Sequence, residues 1–210
     1  MNHFQLHRIL LRSAVALATL SSSYCFAQTR NVIWYTPSAD ETINGIGIGP
    51  TNSGSISGKP IKQTINGIQL ELVGKGAFSL PFTPPESSFI DGARLGEKCI
   101  TVNGLLLSVT GSVGVDKING VSISAFFGSA GKVNGVSVNP INMVNTIDGV
   151  ALGVVNQAIS GNGLQLGLVN SVSTFSGLQI GLININKSGS CLQIGLVNIN
   201  KNRVLPFINF

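Results

Sequence analysis

The stretch from Gly177 to Lys201 constrains this chain more than any other. It reads GLQIGLININKSGS and then CLQIGLVNINK, one phrase written twice at an offset of fourteen residues. A fixed internal period marks a repeat architecture, in which each unit buries its faces only against its neighbours. The offset continues upstream through Gly163–Asn170 and Gly149–Asn156 to a more degraded copy at Gly135–Asn142. Two columns persist: a small residue (Gly135, Gly149, Gly163, Gly177, Cys191) and an asparagine seven positions later (Asn142, Asn156, Asn170, Asn184, Asn198). Further upstream the spacing loosens while the flank survives, because Ile43, Ile65, Val102, Ile118 and Val133 are each followed by Asn-Gly and an apolar run.

Within Gly177–Ser190, Leu178, Ile180 and Leu182 alternate with Gln179 and Gly181, the two-residue period of a half-buried strand. The phase then slips: Ile183 follows Leu182 directly, and Ile183 and Ile185 alternate with Asn184 and Asn186. A straight strand with a fixed inner face does not switch faces mid-run, whereas a strand, a corner and a second strand turn both apolar sets inward. Asn186 to Gly189 supply a second turn. The unit therefore predicts an all-β fold, a repeat β-solenoid with two-strand coils of about fourteen residues. Stacked at ~4.8 Å, about seven coils from Gly104 onward make a rod of roughly 34 Å. Asn-Gly is also a strong hairpin signal, and the terminal Phe210 resembles the ending of many outer-membrane barrels, so an antiparallel β-barrel or β-meander is the alternative. Against a barrel, Tyr24, Trp34 and Tyr35 are all the Trp and Tyr available for an aromatic girdle.

In the solenoid scheme the glycine column supplies positive φ at a tight corner, and the stacked asparagines hydrogen-bond from coil to coil. The outward column is then Gln165, Gln179 and Gln193, continued by Ser137 and Ala151. This glutamine ladder is the candidate interaction surface.

The rest of the chain falls around the repeats. Residues 1–27 carry Arg8 and Arg12, an apolar run from Ala14 to Leu20 and a small-x-small site at Cys25–Ala27, the layout of a signal peptide. The apolar run is far short of the ~20 residues a bilayer span needs, and Ser-Ser-Tyr before Cys25 matches a lipobox poorly. Residues 28–60 read as an N-terminal cap, 61–203 as the repeat domain and 204–210 as a C-terminal cap in which Pro206, Phe207 and Phe210 cover the apolar end. A proline-rich, charged insertion at 77–98 interrupts the repeats as a solvated excursion.

Composition narrows the chemistry. Loss of Arg8 and Arg12 with the leader lowers the formal charge from +5 to +3, and the remaining Lys and Arg are scattered, which is not a nucleic-acid footprint. Both histidines, His3 and His7, lie in the leader, leaving no histidine base, metal ligand or Ser-His-Asp triad beyond it. Gly45–Gly49 lacks the Lys-Ser/Thr of a phosphate loop. The carboxylates at Asp40/Glu41 and Glu86/Asp91 fit loop solvation better than acid–base catalysis. Cys99 and Cys191 fall about six coils apart, beyond the ~7 Å limit for a disulfide, so two free thiols are expected. The expectation is a protein that is not an enzyme and takes no cofactor or metal.

The GLQIGLVN-like cores at 163–170, 177–184 and 191–198, with the ending NKNRVLPFINF, resemble leptospiral-type bacterial surface-repeat proteins over about residues 64–210. The resemblance implies an exported location, at the cell surface, outer membrane or outside the cell, and brings no catalytic residues. Cys191 departs from its pattern, so that corner is expected to be reshaped. A structural, adhesive or interaction role with an unknown surface or extracellular partner leads. The alternatives are an outer-membrane barrel and a curli-like assembler that stacks end to end through bare edges.

Overall fold

A computed structural model of the chain describes residues 28–36, 41–51, 55–56, 59–60, 62–73, 99–201 and 203–210. The leader read at 1–27 and the insertion read at 77–98 lie outside the described residues. Strands β1 (Gln28–Tyr35), β2 (Glu41–Ile48), β5 (Lys62–Glu71), β6 (Cys99–Ser108), β7 (Ser112–Ser124), β8 (Phe127–Val138), β9 (Ile141–Leu152), β10 (Val155–Leu166) and β11 (Val169–Ile180) stack in chain order. Then come β12 (Ile183–Asn186), β13 (Cys191–Asn200) and β14 (Arg203–Asn209), while β3 (Ser55–Ile56) and β4 (Lys59–Pro60) form a small separate hairpin. Every pairing from β1 to β13 in the main sheet is parallel. The chain is a β-solenoid of about nine coils with about fourteen residues per turn. A barrel or meander needs antiparallel neighbours, and among the described residues only β3–β4 and β13–β14 pair that way. Strands β1 and β2, in the segment read as an N-terminal cap, themselves stack in register beneath β5.

Two details differ from the expected coil. From β8 to β11 each coil is one bent strand of 12 residues rather than two short ones. The bend is the glycine column: Gly135, Gly149, Gly163 and Gly177 have φ of +136°, +144°, +124° and +138°, and a two-residue corner such as Gly167-Leu168 returns the chain. Among the described residues from β8 onward, that continuity fails in the last turn, between β12 and β13, where Cys191 pairs with Gly177 but is not among the residues of positive φ.

The second detail is polarity. One interior column is apolar: Ile43, Ile65, Val102, Ile118, Val133 and Ile147 lie one above the next, all buried, although Gln63, Gln69 and Glu71 are buried in the same coils. Phe175 is register partner to Gly161 in that column, a large residue beside one with no side chain. In the arms that carry Gln and Asn the interior is polar and the orientation is the inverse of the expected one. Gln179, Asn184 and Asn186 point inward, while Leu182 and Ile183 are exposed. The two arms meet at Gly181-Leu182, and either both apolar sets or both polar sets can face inward there. The polar sets win because their amides bond along the rod axis, which lifts most of the penalty for burying them.

The C-terminal turn also closes differently from expectation. Phe207 and Phe210 are 68% and 72% exposed, with the Arg203 guanidinium 5.0 Å from the centre of the Phe210 ring. Antiparallel pairing of β14 caps the edge of β13 instead, with buried Asn209 donating to the Asn198 carbonyl at 3.1 Å.

Candidate interaction surface

The glutamines proposed as an outward ladder form a ladder, but an internal one. Gln165, Gln179 and Gln193 are 1%, 0% and 0% exposed. Gln179 Nε2 donates to Gln165 Oε1 and Gln193 Nε2 to Gln179 Oε1, both at 2.8 Å, with further bonds to the Ile185 and Ile199 carbonyls. The reason is steric as well as polar. The column continues down the rod through Ala151, Ser137, Ser122, Leu106, Gln69 and Gly47, mostly small or amide residues suited to a narrow interior. These three glutamines are therefore not a surface, and the ladder works as internal scaffold.

Opposite them runs the predicted asparagine column. Asn142, Asn156, Asn170, Asn184 and Asn198 are all buried. Each of the first four donates to the next through Nδ2 at 2.7–2.8 Å and also to a backbone carbonyl ten residues on at 2.9–3.1 Å. Donors of this ladder point towards the C-terminus and those of the glutamine ladder towards the N-terminus, so the two rows of amide dipoles oppose one another.

A third ladder lies outside. From Asn31, which precedes Val32, the ladder steps through the Asn-Gly asparagines Asn44, Asn66, Asn103, Asn119 and Asn134, each Nδ2 donating to the preceding Oδ1 at 2.7–3.3 Å. Steps of 13, 22, 37, 16 and 15 residues all keep the same pairing, so connections of very different length leave the register intact. Asp148 takes the next position and holds Asn162 at 3.1 Å and Lys132 at 2.7 Å. Its carboxyl is kept below the usual range first by the Lys132 hydrogen bond and then by Asn162. Sequence reasoning marked these Asn-Gly pairs only as openings of apolar runs.

Two buried reactive groups lie apart from the ladders. Cys191 is a free thiol that burial pushes up to about 11, which makes it a poor nucleophile at neutral pH. Its backbone lies six strand pairings from that of Cys99, whose side chain is outside the described residues. Glu71 is buried in β5, and its Oε1 accepts from both the backbone N–H and the hydroxyl of Thr51. Desolvation nevertheless raises its pKa above the ordinary 4.5, the hydrogen bonds opposing it. Because the folded value lies above the unfolded one, Glu71's contribution to stability is full below the unfolded pKa. It is lost as pH rises through the folded value. Glu71→Gln is therefore expected to flatten the fall in stability as pH rises above the ordinary carboxylate value of 4.5, read from urea midpoints at each pH.

Among the described residues no group of three or more His, Cys, Asp or Glu is placed to hold a metal. Of the carboxylates read as loop solvation, Glu41 pairs with Arg30 at 3.7 Å, and Asp40, Glu86 and Asp91 are outside the described residues. One column of the surface is apolar. Val154, Leu168, Leu182 and Leu196 project from successive corners, and Leu166 and Ile194 flank them, all exposed. Compared with protein-family models, curated proteins and solved structures, the chain matches none.

Proposed function

We propose that this is an exported, non-catalytic repeat protein of the bacterial surface, whose rod serves a structural, adhesive or interaction role. The observation that carries the reading is the outer apolar column, which offers a partner an exposed valine or leucine at four successive corners, Val154, Leu168, Leu182 and Leu196. The leader-like layout of residues 1–27 supports export. Fractionation of cells expressing the full chain tests it, with protease added outside intact cells. Recovery beyond the inner membrane, with the rod cleaved by external protease, is the expected result; retention in the cytoplasm would overturn the reading.

Self-assembly is a second reading that rests on β1. Its outer edge is unpaired among the described residues and carries exposed Val32, Ile33 and Tyr35, and bare edges invite further strands. On this reading sedimentation velocity shows concentration-dependent oligomers, and Ile33→Lys abolishes them. A monomer at all concentrations would remove it.

A further inference from the structure

The C-terminal coils are built inside out, and their outer corner has properties that suit hydrocarbon. Leu168, Leu182 and Leu196 stand at equivalent positions on three successive corners, flanked by Leu166 and Ile194, with Leu182 and Leu196 48% and 59% exposed. Alternation of apolar residues outward with Gln and Asn inward is the pattern of a lipid-facing strand.

Backbone bonding at the corner carries the argument further. Polypeptide can meet hydrocarbon only where its own amides are already satisfied. Here Gly167 N–H donates to the Ile180 carbonyl and Gly181 N–H to that of Ile194, both at 3.0 Å. Leu182 and Ile183 N–H both donate to the Leu168 carbonyl, and Val197 N–H to that of Leu182, all at 2.9 Å. The N–H groups of Gly167, Leu168, Gly181 and Leu182 all bond to neighbouring turns, so these corners present their side chains with those donors satisfied.

Charge selects the kind of membrane. No Asp or Glu occurs between residues 149 and 210, while Lys187 and Lys201 stand in adjacent register, exposed. Lys201 lies four residues along the strand from Val197 at the corner, about 13 Å. That offset brings the ammonium groups level with headgroups when the corner enters the acyl boundary by ~5–10 Å.

We propose that this corner docks on an anionic bilayer, the leucine column in the acyl boundary and Lys187 and Lys201 against lipid phosphates. The proposal names a partner for the surface read above and rests on that reading of the rod as an interaction surface. Flotation reports lipid binding and fractionation reports export, so one can fail without the other.

The test is flotation of the purified chain with phosphatidylcholine vesicles, with and without phosphatidylglycerol. Co-flotation with the anionic vesicles is expected, weaker with neutral ones. Leu182→Gln with Leu196→Gln is expected to abolish it on both, and Lys187→Gln with Lys201→Gln to weaken it roughly 30-fold on anionic vesicles alone. Far-UV circular dichroism of each variant checks that the coils remain, which exposed corner positions allow. A folded wild-type chain that stays at the bottom of the gradient with anionic vesicles would overturn the proposal. So would leucine variants that float unchanged. Sedimentation showing a wild-type dimer that the leucine changes dissolve, with flotation unaffected, would assign the corner to a second copy instead.

Discussion

Gly149→Ala is expected to destabilise the solenoid by about 3–5 kcal/mol, among the largest effects a single methyl can have in this chain. Gly149 sits at φ +144°, and a Cβ there would stand 2.0 Å from the Gly135 carbonyl oxygen. That oxygen belongs to the backbone of the coil beneath, so it cannot move aside as a flexible side chain would. Relief requires pulling β8 and β9 apart, and their register is fixed at eleven positions from Phe127–Ile141 to Val138–Leu152. The same collision recurs at Gly163 and Gly177, at 2.0 and 2.1 Å. Urea unfolding followed by circular dichroism measures the effect, with Ser176→Ala, an exposed neighbour of the column, as the control within about 0.5 kcal/mol. A midpoint for Gly149→Ala equal to that control would show that the column tolerates a side chain. Because coils contact only their neighbours, the damage is expected to centre on the coils around the substitution.

The glycine column was legible in the sequence because its signal is steric: a position that admits only glycine shows as glycine in every copy. Fourteen-residue stacking was legible for the same reason, as was the reshaped corner at Cys191, where the glycine conformation ends. What the sequence did not yield was which face of each arm points inward. Leu178, Ile180 and Leu182 alternate with Gln179 and Gly181 whichever set is inside, and the usual preference for buried aliphatics chose wrongly. A signal was present in the glutamine column itself. Three of its members, Ser122, Ser137 and Ala151, are small and buried, though Leu106 and Gln69 are not small, whereas the neighbouring column stays bulky through Leu166, Ile180 and Ile194. The outer asparagine ladder was hidden for a different reason: its steps of 22 and 37 residues carry no period to detect.

Asn170→Ala tests whether that buried polar interior holds the coils together, and about 3–5 kcal/mol of lost stability is expected. Asn170 accepts from Asn156 at 2.8 Å and donates to Asn184 at 2.8 Å and to the Ile180 carbonyl at 2.9 Å. Truncation leaves an acceptor on Asn184, the Ile180 carbonyl and one donor of Asn156 without this partner in a dry interior. Orphaned buried groups cost about 1–3 kcal/mol each, more than the net worth of the bonds they lose. Asn156 and Asn184 each keep a backbone carbonyl, at 3.0 Å in both cases, which holds the total below the sum of full penalties. Gln179→Ala is expected to cost less, because its contact with the Ile185 carbonyl is long at 3.4 Å. Asn170→Leu adds volume without supplying any of the three bonds and is expected to be at least as damaging as alanine. Urea midpoints of the three variants at equal slope decide the order. An Asn170→Leu protein as stable as wild type would mean that the asparagine column is tolerated rather than required, and that packing alone sets the orientation of the arms.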